Sequence, residues 1–183
     1  MLDFALLGFL NYGPMTGYEL KQNMDGSTSH FWNAKLSQIY TTLKSLEKEG
    51  LVRSSIQVQE ERPDKRVYTI TPEGKSSLQK WLAEPLTELA PHKNALLLKL
   101  FFAAQTDKET VIALLRLQKK LHQRQADIYR IRTYDLIQGI LQRNQALKKD
   151  GIFWEASRRF GELYEEMYVK WLNETINSLE ENL

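Results

Sequence analysis

An amphipathic helix followed at once by a hairpin is the feature that most constrains the fold of this chain. Between Leu36 and Leu46, apolar residues recur every three or four positions, which is the spacing of one face of an α-helix. Gly50 follows shortly after, where a helix commonly ends because glycine adopts the left-handed conformation without steric cost. The sequence therefore predicts a helix that ends just before Gly50.

Two alternating runs come directly after this helix. Apolar and polar residues alternate from Val52 to Val58, and a second strand-like run extends from Arg66 to Ile70. The polar segment 60–65 between them contains Pro63, which stops a strand ladder and predicts a turn. A helix followed by a hairpin with a basic tip indicates a winged helix.

The face of the helix opposite its apolar side is short, polar and weakly basic. Such side chains suit a helix that enters a major groove, where Ser, Thr, Gln and Lys can reach base edges and phosphates. The alternative is that helix and hairpin merely pack together, since solvated helix faces rich in Lys, Ser and Thr are common. The candidate DNA contacts on the helix and the hairpin are Ser37, Gln38, Tyr40, Thr41, Lys44, Ser45, Lys48, Lys65 and Arg66.

Composition neither supports nor excludes a nucleic-acid partner. The 183 residues carry a net charge of only +2, and residues 1–90 hold ten Lys or Arg against eleven Asp or Glu. DNA binding must therefore depend on where individual basic residues lie. The chain has no cysteine, which excludes a disulfide framework. Because it also has no basic leader and no apolar run near eighteen residues, we expect a soluble cytoplasmic protein without a membrane partner.

The remaining N-terminal segments are predicted to be short helices. Residues 2–10 are apolar around most of the helix, which predicts burial, partly against a partner subunit. Thr16 with Glu19 forms a capping-box pattern for a second helix, predicted to end at about Asn23 and to be followed by a loop over 25–29. Thr71 and Pro72 predict the start of a fourth helix, whose apolar side would contain Leu78, Trp81 and Leu82. We predict a DNA-binding domain over 1–84, a hinge over 85–93 and an all-helical domain over 94–183.

The C-terminal half is predicted to be entirely helical. Thr106 and Glu109 form another capping-box pattern, and a helix from Asp107 to about Lys148 would be roughly 60 Å long at 1.5 Å per residue. The spacing of its leucines and isoleucines predicts the seam along which this helix packs against another, and the residues of that seam are Leu114, Leu117, Leu121, Ile128 and Ile131. After a turn at Asp150–Gly151, a last helix should run from Ile152 to about Leu179. The first of these helices is basic and the last is acidic, which favours antiparallel pairing, although the basic helix could instead be a second nucleic-acid surface.

Motifs in order along the first seventy residues resemble the PadR family of bacterial transcriptional regulators. They are Ala5-Leu6-Leu7-Gly8, Gly13-Pro14-Met15-Thr16-Gly17-Tyr18-Glu19-Leu20, Phe31-Trp32, Ser37-Gln38-Ile39-Tyr40, Leu46-Glu47, Glu49-Gly50-Leu51-Val52, Arg62-Pro63-Asp64-Lys65-Arg66-Val67-Tyr68 and Thr71-Pro72-Glu73-Gly74. One departure is Thr41, where the family often has proline, and it could alter which bases are read. The resemblance implies an N-terminal winged helix-turn-helix, a C-terminal helical dimerisation domain and a sequence-specific regulator, which we expect to be a repressor.

The same resemblance implies roles for further residues. Tyr18 would contact a phosphate, although packing on the third helix explains it equally well. A homodimer that reads a palindromic operator would be built from the first and last helices, and its predicted contacts are Leu2, Leu6, Phe153, Phe160, Leu163, Met167 and Trp171. Some aromatic residues of the last helix could instead line a pocket for a small aromatic effector, with Trp154 as the candidate.

Catalytic and metal sites have no support in the sequence. His30, His92 and His122 lack partners at metal-ligand spacing, and the glycines do not form a phosphate-binding loop. We therefore predict no enzyme activity and no cofactor. The competing class is a winged helix used only for protein contacts, which the near-neutral N-terminal half would suit, and an enzyme comes third.

Overall fold

The computed structural model of the chain describes residues 1–28, 31–58, 64–89 and 93–182. It divides into two compact units, Met1–Leu89 and Ala90–Leu183, and each has its own hydrophobic core. The predicted fold class, mainly α-helix with a small hairpin wing, is confirmed. The predicted turn over 60–63, the centre of the hinge at 90–92 and the residues His30 and His92 lie outside the described residues.

The N-terminal unit contains four helices and a three-stranded antiparallel sheet in the order β1–β3–β2. Its elements are α1 (Leu2–Leu10), β1 (Met15–Thr16), α2 (Gly17–Ser27), α3 (Leu36–Lys48), β2 (Val52–Gln57), β3 (Lys65–Ile70) and α4 (Pro72–Ala83). Strands β2 and β3 form the hairpin, or wing, with Ser54 opposite Tyr68 and Ile56 opposite Arg66. The short strand β1 was not predicted from the sequence.

Local signals in the sequence fix most of the helix ends. Thr16 and Glu19 form the predicted capping box at the start of α2, and the Thr71 side chain accepts a hydrogen bond from the Gly74 N–H at the start of α4. Gly50 follows α3 with a φ of +73°, as expected of a helix C′ residue. These contacts satisfy backbone groups that a helix terminus would otherwise leave without partners.

Helix α2 continues to Ser27 and is therefore longer than predicted. The predicted loop is wrong at residues 25–27, because these residues are helical. Hydrogen bonds within its last turns explain the extension. The Ser27 hydroxyl donates to the Asn23 carbonyl at 2.6 Å, and Lys21 forms an ion pair with Asp25 one turn later. Gly26 and the short polar residues therefore lie on the exposed side of a helix that is already anchored at Leu20 and Met24.

Apolar faces of the helices and the base of the wing form the core of the N-terminal unit. Its fully buried side chains are Leu6, Leu7, Leu10, Leu20, Met24, Ile39, Leu43 and Leu46. Two expectations about this core are wrong. Of the alternating residues in β2 only Val52 is buried, since Ile56 is 69% exposed in the part of the wing that extends beyond the core, and Leu82 of α4 is 67% exposed. Trp81 does pack inward, with its ring stacked on Phe4 at 4.8 Å between centroids.

The described residues of the C-terminal unit form helices joined by short turns. Its elements are α5 (Ala95–Phe101), a 3-10 turn (Ala103–Gln105), α6 (Lys108–Asp127), a π-helical segment (Ile128–Thr133), α7 (Tyr134–Arg143), a second 3-10 turn (Gln145–Leu147) and α8 (Lys148–Asn182). The predicted antiparallel pairing of the basic and acidic helices is confirmed. Lys108 Nζ donates to the Glu180 carbonyl near one end of the pair, and Arg130 donates to Glu162 towards the other.

Several predicted boundaries of the C-terminal unit are wrong. Asp107 rather than Thr106 caps α6, because its carboxylate accepts a hydrogen bond from the Thr110 N–H at 2.7 Å. The predicted single helix is interrupted by the π-helical segment and ends at Arg143. The chain reverses at Asn144, not at Asp150–Gly151, and Gly151 lies inside α8, where an added Cβ would be 2.6 Å from the Leu141 side chain.

The predicted seam of the long helix is also displaced. Leu117, Leu121 and Ile131 are about half exposed, at 54%, 49% and 58%. The core of the unit is formed instead by Leu96, Val111, Ile112, Leu115, Tyr168, Leu172 and Ile176. Spacing alone does not distinguish two adjacent apolar stripes on one helix, and the stripe that packs against α8 starts three residues earlier.

No helix among the described residues has both the length and the apolar character needed to cross a membrane.

Candidate nucleic-acid interface

The outward side of α3 carries an exposed polar face without an acidic side chain. Its residues are Ser37, Gln38, Thr41, Lys44, Ser45 and Lys48, all of which are exposed. The apolar side of the same helix, with Ile39, Leu43 and Leu46, is buried in the core and fixes the rotation of the helix. The face is therefore held rigidly towards solvent.

Internal hydrogen bonds already occupy part of this face. The Gln38 side-chain oxygen accepts from the Lys35 backbone N–H at 2.8 Å, which caps the start of α3 and leaves the amide nitrogen to donate elsewhere. The Thr41 hydroxyl donates to the Ser37 carbonyl at 2.9 Å, and the Ser45 hydroxyl donates to Glu49 at 2.8 Å. Both hydroxyls consequently present acceptor lone pairs in the conformation described.

Two tyrosines lie at the amino end of α2 and on α3. Tyr18 is 57% exposed and Tyr40 is 45% exposed, so both hydroxyls can reach a ligand. The Tyr40 ring also covers the Gly17 backbone, because a Cβ at that position would be 2.5 Å from its Cε1 atom. Gly17 is therefore needed for the close approach of α2 to α3, and Tyr40 has a packing role whatever else it contacts.

The predicted basic residues of the wing stand at the start of β3. Lys65 and Arg66 are both exposed. Hydrogen bonds from Thr16 lower the pKa of Glu19, and the positive charge of Lys65 adds a smaller effect in the same direction. The Arg66 guanidinium forms hydrogen bonds with Ser54 and Glu47, whereas the sequence predicted only that Arg66 is a basic residue at the tip of the wing.

A cluster of Glu47, Ser54 and Arg66 joins α3 to both strands of the wing, and sequence reasoning missed it. One Glu47 carboxylate oxygen accepts from the Ser54 N–H at 3.2 Å and from the Ser54 hydroxyl at 2.5 Å. The other accepts from Arg66 Nη2 at 2.7 Å, while Arg66 Nε donates to the Ser54 hydroxyl at 2.9 Å. The hydrogen bond from Ser54 and the charge of Arg66 lower the pKa of Glu47 despite its partial burial. The only signal in the sequence was an acid on the inner side of an otherwise acid-free helix.

Two family models match successive parts of the chain. The transcriptional regulator PadR-like family matches residues 6–80, and the virulence activator alpha C-terminal family matches residues 92–180. A probable transcriptional regulator of Mycobacterium tuberculosis is 31% identical, with 98% of each chain covered. The negative transcriptional regulator PadR of Bacillus subtilis is 33% identical over 70% of this chain and 69% of that protein.

This chain belongs to the PadR family of transcriptional regulators.

Solved structures agree with this membership at the level of the fold. The crystal structure of Bacillus subtilis PadR in complex with operator DNA has a TM-score of 0.84 and 24% identity, and it covers 97% of this chain and 98% of that one. The same regulator in complex with p-coumaric acid has a TM-score of 0.72, with 98% of each chain covered. Members of the PadR family are transcriptional regulators and not enzymes, as the sequence predicted. No group of acidic or histidine side chains suited to a metal ion occurs in the described part of the chain.

The C-terminal unit of this PadR-family protein carries a second apolar stripe on α8. One side of α8 packs into the unit's own core through Tyr168, Leu172 and Ile176. A different side stays exposed and contains Phe153, Ala156, Phe160, Leu163 and Met167, which we call the α8 seam. These residues recur at alternating steps of three and four, the spacing by which two helices pack along each other.

Three of the predicted dimer contacts lie elsewhere. Leu6 is fully buried in the core of its own unit and cannot also contact a partner subunit, so that assignment is corrected. Leu2 is partly buried against the same core. Trp171 packs against the core of the C-terminal unit, with its ring roughly perpendicular to that of Tyr168 at 5.5 Å between centroids, and does not belong to the exposed seam.

Trp154, the predicted effector contact, is partly buried on α8. A cavity of about 450 Å³ lies in another part of the same unit, between α5 and α6. It is lined largely by aliphatic side chains, among them Leu96, Leu100 and Leu115, with Lys99 as its charged lining residue. The residues that line this cavity do not include Trp154.

Proposed function

We propose that this protein is a homodimeric, sequence-specific DNA-binding repressor whose α3 reads the major groove while the wing contacts the phosphate backbone. The observation that carries the proposal is the exposed polar face of α3, which has no acidic residue in its first three turns and lies on a helix fixed by a buried apolar side. The chain's similarity to the negative transcriptional regulator PadR, which has been solved with operator DNA, supports it.

Each unit would have its own task. The N-terminal unit would bind one operator half-site through Tyr18 and Tyr40, the α3 face and Lys65 of the wing. The C-terminal unit would hold two subunits together, so that two α3 helices meet a palindromic site one helical turn apart. We place the boundary between the two tasks in the hinge over 85–93.

Base readout and phosphate contact should respond differently to substitution. We expect Ser37→Ala and Gln38→Ala to relax sequence preference, since they remove hydrogen-bonding groups that face base edges, at a cost of about 1–3 kcal/mol in discrimination. Lys65→Ala should weaken binding to all sequences alike and reduce the salt dependence by about one phosphate contact. Fluorescence anisotropy would measure both, with the sequence that the wild-type protein selects from a random duplex library and with a scrambled duplex.

Lys75→Ala is the matched control, because Lys75 is an exposed lysine on α4, away from the proposed face. If all these variants lowered affinity for both duplexes equally, α3 would not be the base-reading helix. Wild-type binding with a flat salt dependence, or no binding at low salt, would favour the alternative of a winged helix that contacts other proteins.

We further propose that a small aromatic acid relieves repression by binding near Trp154. Bacillus subtilis PadR has been solved with p-coumaric acid, which makes that compound the first probe. Tryptophan fluorescence should be quenched as p-coumaric acid is added, and Trp154→Phe should remove most of the quenching. Trp32→Phe, in the other unit, should retain it. Equal quenching in wild type and Trp154→Phe would place the ligand elsewhere, with the cavity beside α5 as the next site to test.

A further inference from the structure

The contacts of Arg66 differ from those expected of a residue devoted to DNA phosphates. Its guanidinium donates to Glu47 and to Ser54, and its central carbon lies 5.6 Å from the centre of the Tyr68 ring. The Glu47 carboxylate, 2.7 Å from Arg66 Nη2, offsets part of the positive charge of this guanidinium, so Arg66 attracts a phosphate less than an unpaired arginine would at the same place. Its fixed partners point to a role inside the protein.

The partners of Arg66 belong to different elements. Glu47 is in the last turn of α3, Ser54 is in β2, and Arg66 is in β3. Four hydrogen bonds among these three residues thus connect the helix that would read bases to both strands of the wing. The Glu47 side chain is 29% exposed and that of Arg66 is 55% exposed, so solvent competes less with the hydrogen bonds between Glu47 and Ser54 than with those of the guanidinium.

We propose that Glu47, Ser54 and Arg66 form a clamp that positions the wing relative to α3, and that Glu47 is a positioning residue for DNA binding. The proposal rests on the proposed function. Two surfaces that must meet one duplex at the same time bind best when their relative orientation is already set, because less freedom is then lost on binding. The clamp supplies that orientation at the end of α3 nearest the wing.

Removal of Glu47 distinguishes a positioning role from a purely electrostatic effect of its charge. The positioning role predicts weaker DNA binding, and the electrostatic effect predicts stronger DNA binding. Glu47 is negative and lies beside a surface that would approach phosphates. If charge alone mattered, Glu47→Ala would strengthen DNA binding and would free Arg66 for a phosphate. If the clamp matters, Glu47→Ala weakens binding to the selected sequence by roughly tenfold, as expected when ordered side chains must be fixed on binding.

The salt dependence of DNA affinity distinguishes a loss of positioning from a loss of a phosphate contact, because only the second changes it. Loss of positioning should leave the slope of affinity against salt concentration unchanged in Glu47→Ala, whereas Lys65→Ala should reduce it by about one. In a double-mutant cycle, Glu47→Ala combined with Arg66→Ala should bind no more weakly than the weaker single variant, since either change opens the clamp. Independent phosphate binding by Arg66 would make the two effects additive.

The experiment is anisotropy titration of the full chain onto the duplex that the wild-type protein selects from a random library, at several salt concentrations. Glu49→Ala is the matched control, because it removes the same negative charge only two residues from Glu47. The described side-chain contact of the Glu49 carboxylate is with Ser45 and not with the wing. Glu49→Ala should bind as tightly as wild type or more tightly. Glu47→Gln is measured in parallel, since it keeps the side-chain volume, and far-UV circular dichroism shows whether each variant is folded.

The possible outcomes are distinct. Weaker binding by both folded variants, Glu47→Ala and Glu47→Gln, with an unchanged salt slope and non-additivity of Glu47→Ala with Arg66→Ala, supports the clamp. Binding as tight as or tighter than wild type in either folded variant overturns it, and so does additivity. Failure of the wild-type protein to select any sequence would overturn the proposed function instead, and it would be known before any variant is compared.

Discussion

Arg158→Ala should lower the free energy of unfolding of the C-terminal unit by about 3 kcal/mol or more, the usual cost of removing one partner from a buried ion pair. Arg158 is only 7% exposed, and it donates to Glu155, to Glu162 and to the Tyr129 carbonyl at 2.7–2.9 Å. Tyr129 lies in the π-helical segment. Truncation would therefore take one donor from the buried Tyr129 carbonyl and one of three arginine donors from the buried Glu162 carboxylate.

Arg159→Ala is the matched control, because Arg159 is the next residue on α8 but is 49% exposed and contacts Glu162 alone. It should cost less than about 1 kcal/mol, as exposed ion pairs usually do. Chemical denaturation monitored by circular dichroism would measure both variants. Equal losses in the two would show that the buried cluster does not hold the π-helical segment against α8.

Acid should reduce the contribution of the same cluster. Burial alone would raise the pKa of Glu162, but hydrogen bonds from Arg159, Arg158 and Arg130 outweigh it and lower the pKa to about 2. A carboxyl whose pKa is lowered on folding stabilises the protein fully above its unfolded pKa of 4.5, and this stability is lost as the pH falls towards 2. The difference in stability between wild type and Arg158→Ala should therefore narrow over that range.

The sequence predicted the elements with strong local signals and failed where tertiary contacts decide. The capping box at Thr16 and the left-handed Gly50 each depend on a few neighbouring residues, and both are as expected. The chain reversal at Asn144 is different, because Gly151 looks like a turn residue. Its lack of a side chain instead makes room for Leu141 between α7 and α8, which no local pattern reveals.

The candidate site also has a part that the sequence predicts and a part that it does not. The outward face of α3 could be predicted, because a buried apolar stripe fixes which residues point away from the core. The contacts of Arg66 could not, since its partners are 12 and 19 residues distant along the chain. A basic residue at a wing tip predicts a phosphate contact only while its neighbours in space are unknown.

A charged substitution in the α8 seam should have the second large effect, which is loss of the dimer. Phe160 is 66% exposed and stands in the middle of the seam, which is the apolar stripe of α8 left over after its own core is formed. In a twofold dimer the same stripe faces its copy, so Phe160→Glu would place two carboxylates in one apolar contact. We expect this variant to be monomeric in multi-angle light scattering, where the wild type should be a dimer.

Loss of the dimer should cost more DNA affinity than any single contact. Two linked α3 helices gain about 10²–10⁴-fold over one, because the second half-site is bound at high effective concentration. Phe160→Glu should therefore weaken binding to a palindromic duplex by about a hundredfold or more and leave binding to a single half-site unchanged. Leu82→Glu is the control, since it places the same charge on an exposed leucine of α4, and it should remain dimeric. A Phe160→Glu protein that stays dimeric would exclude the seam as the interface, whereas a monomer with undiminished affinity would show that one α3 suffices for recognition.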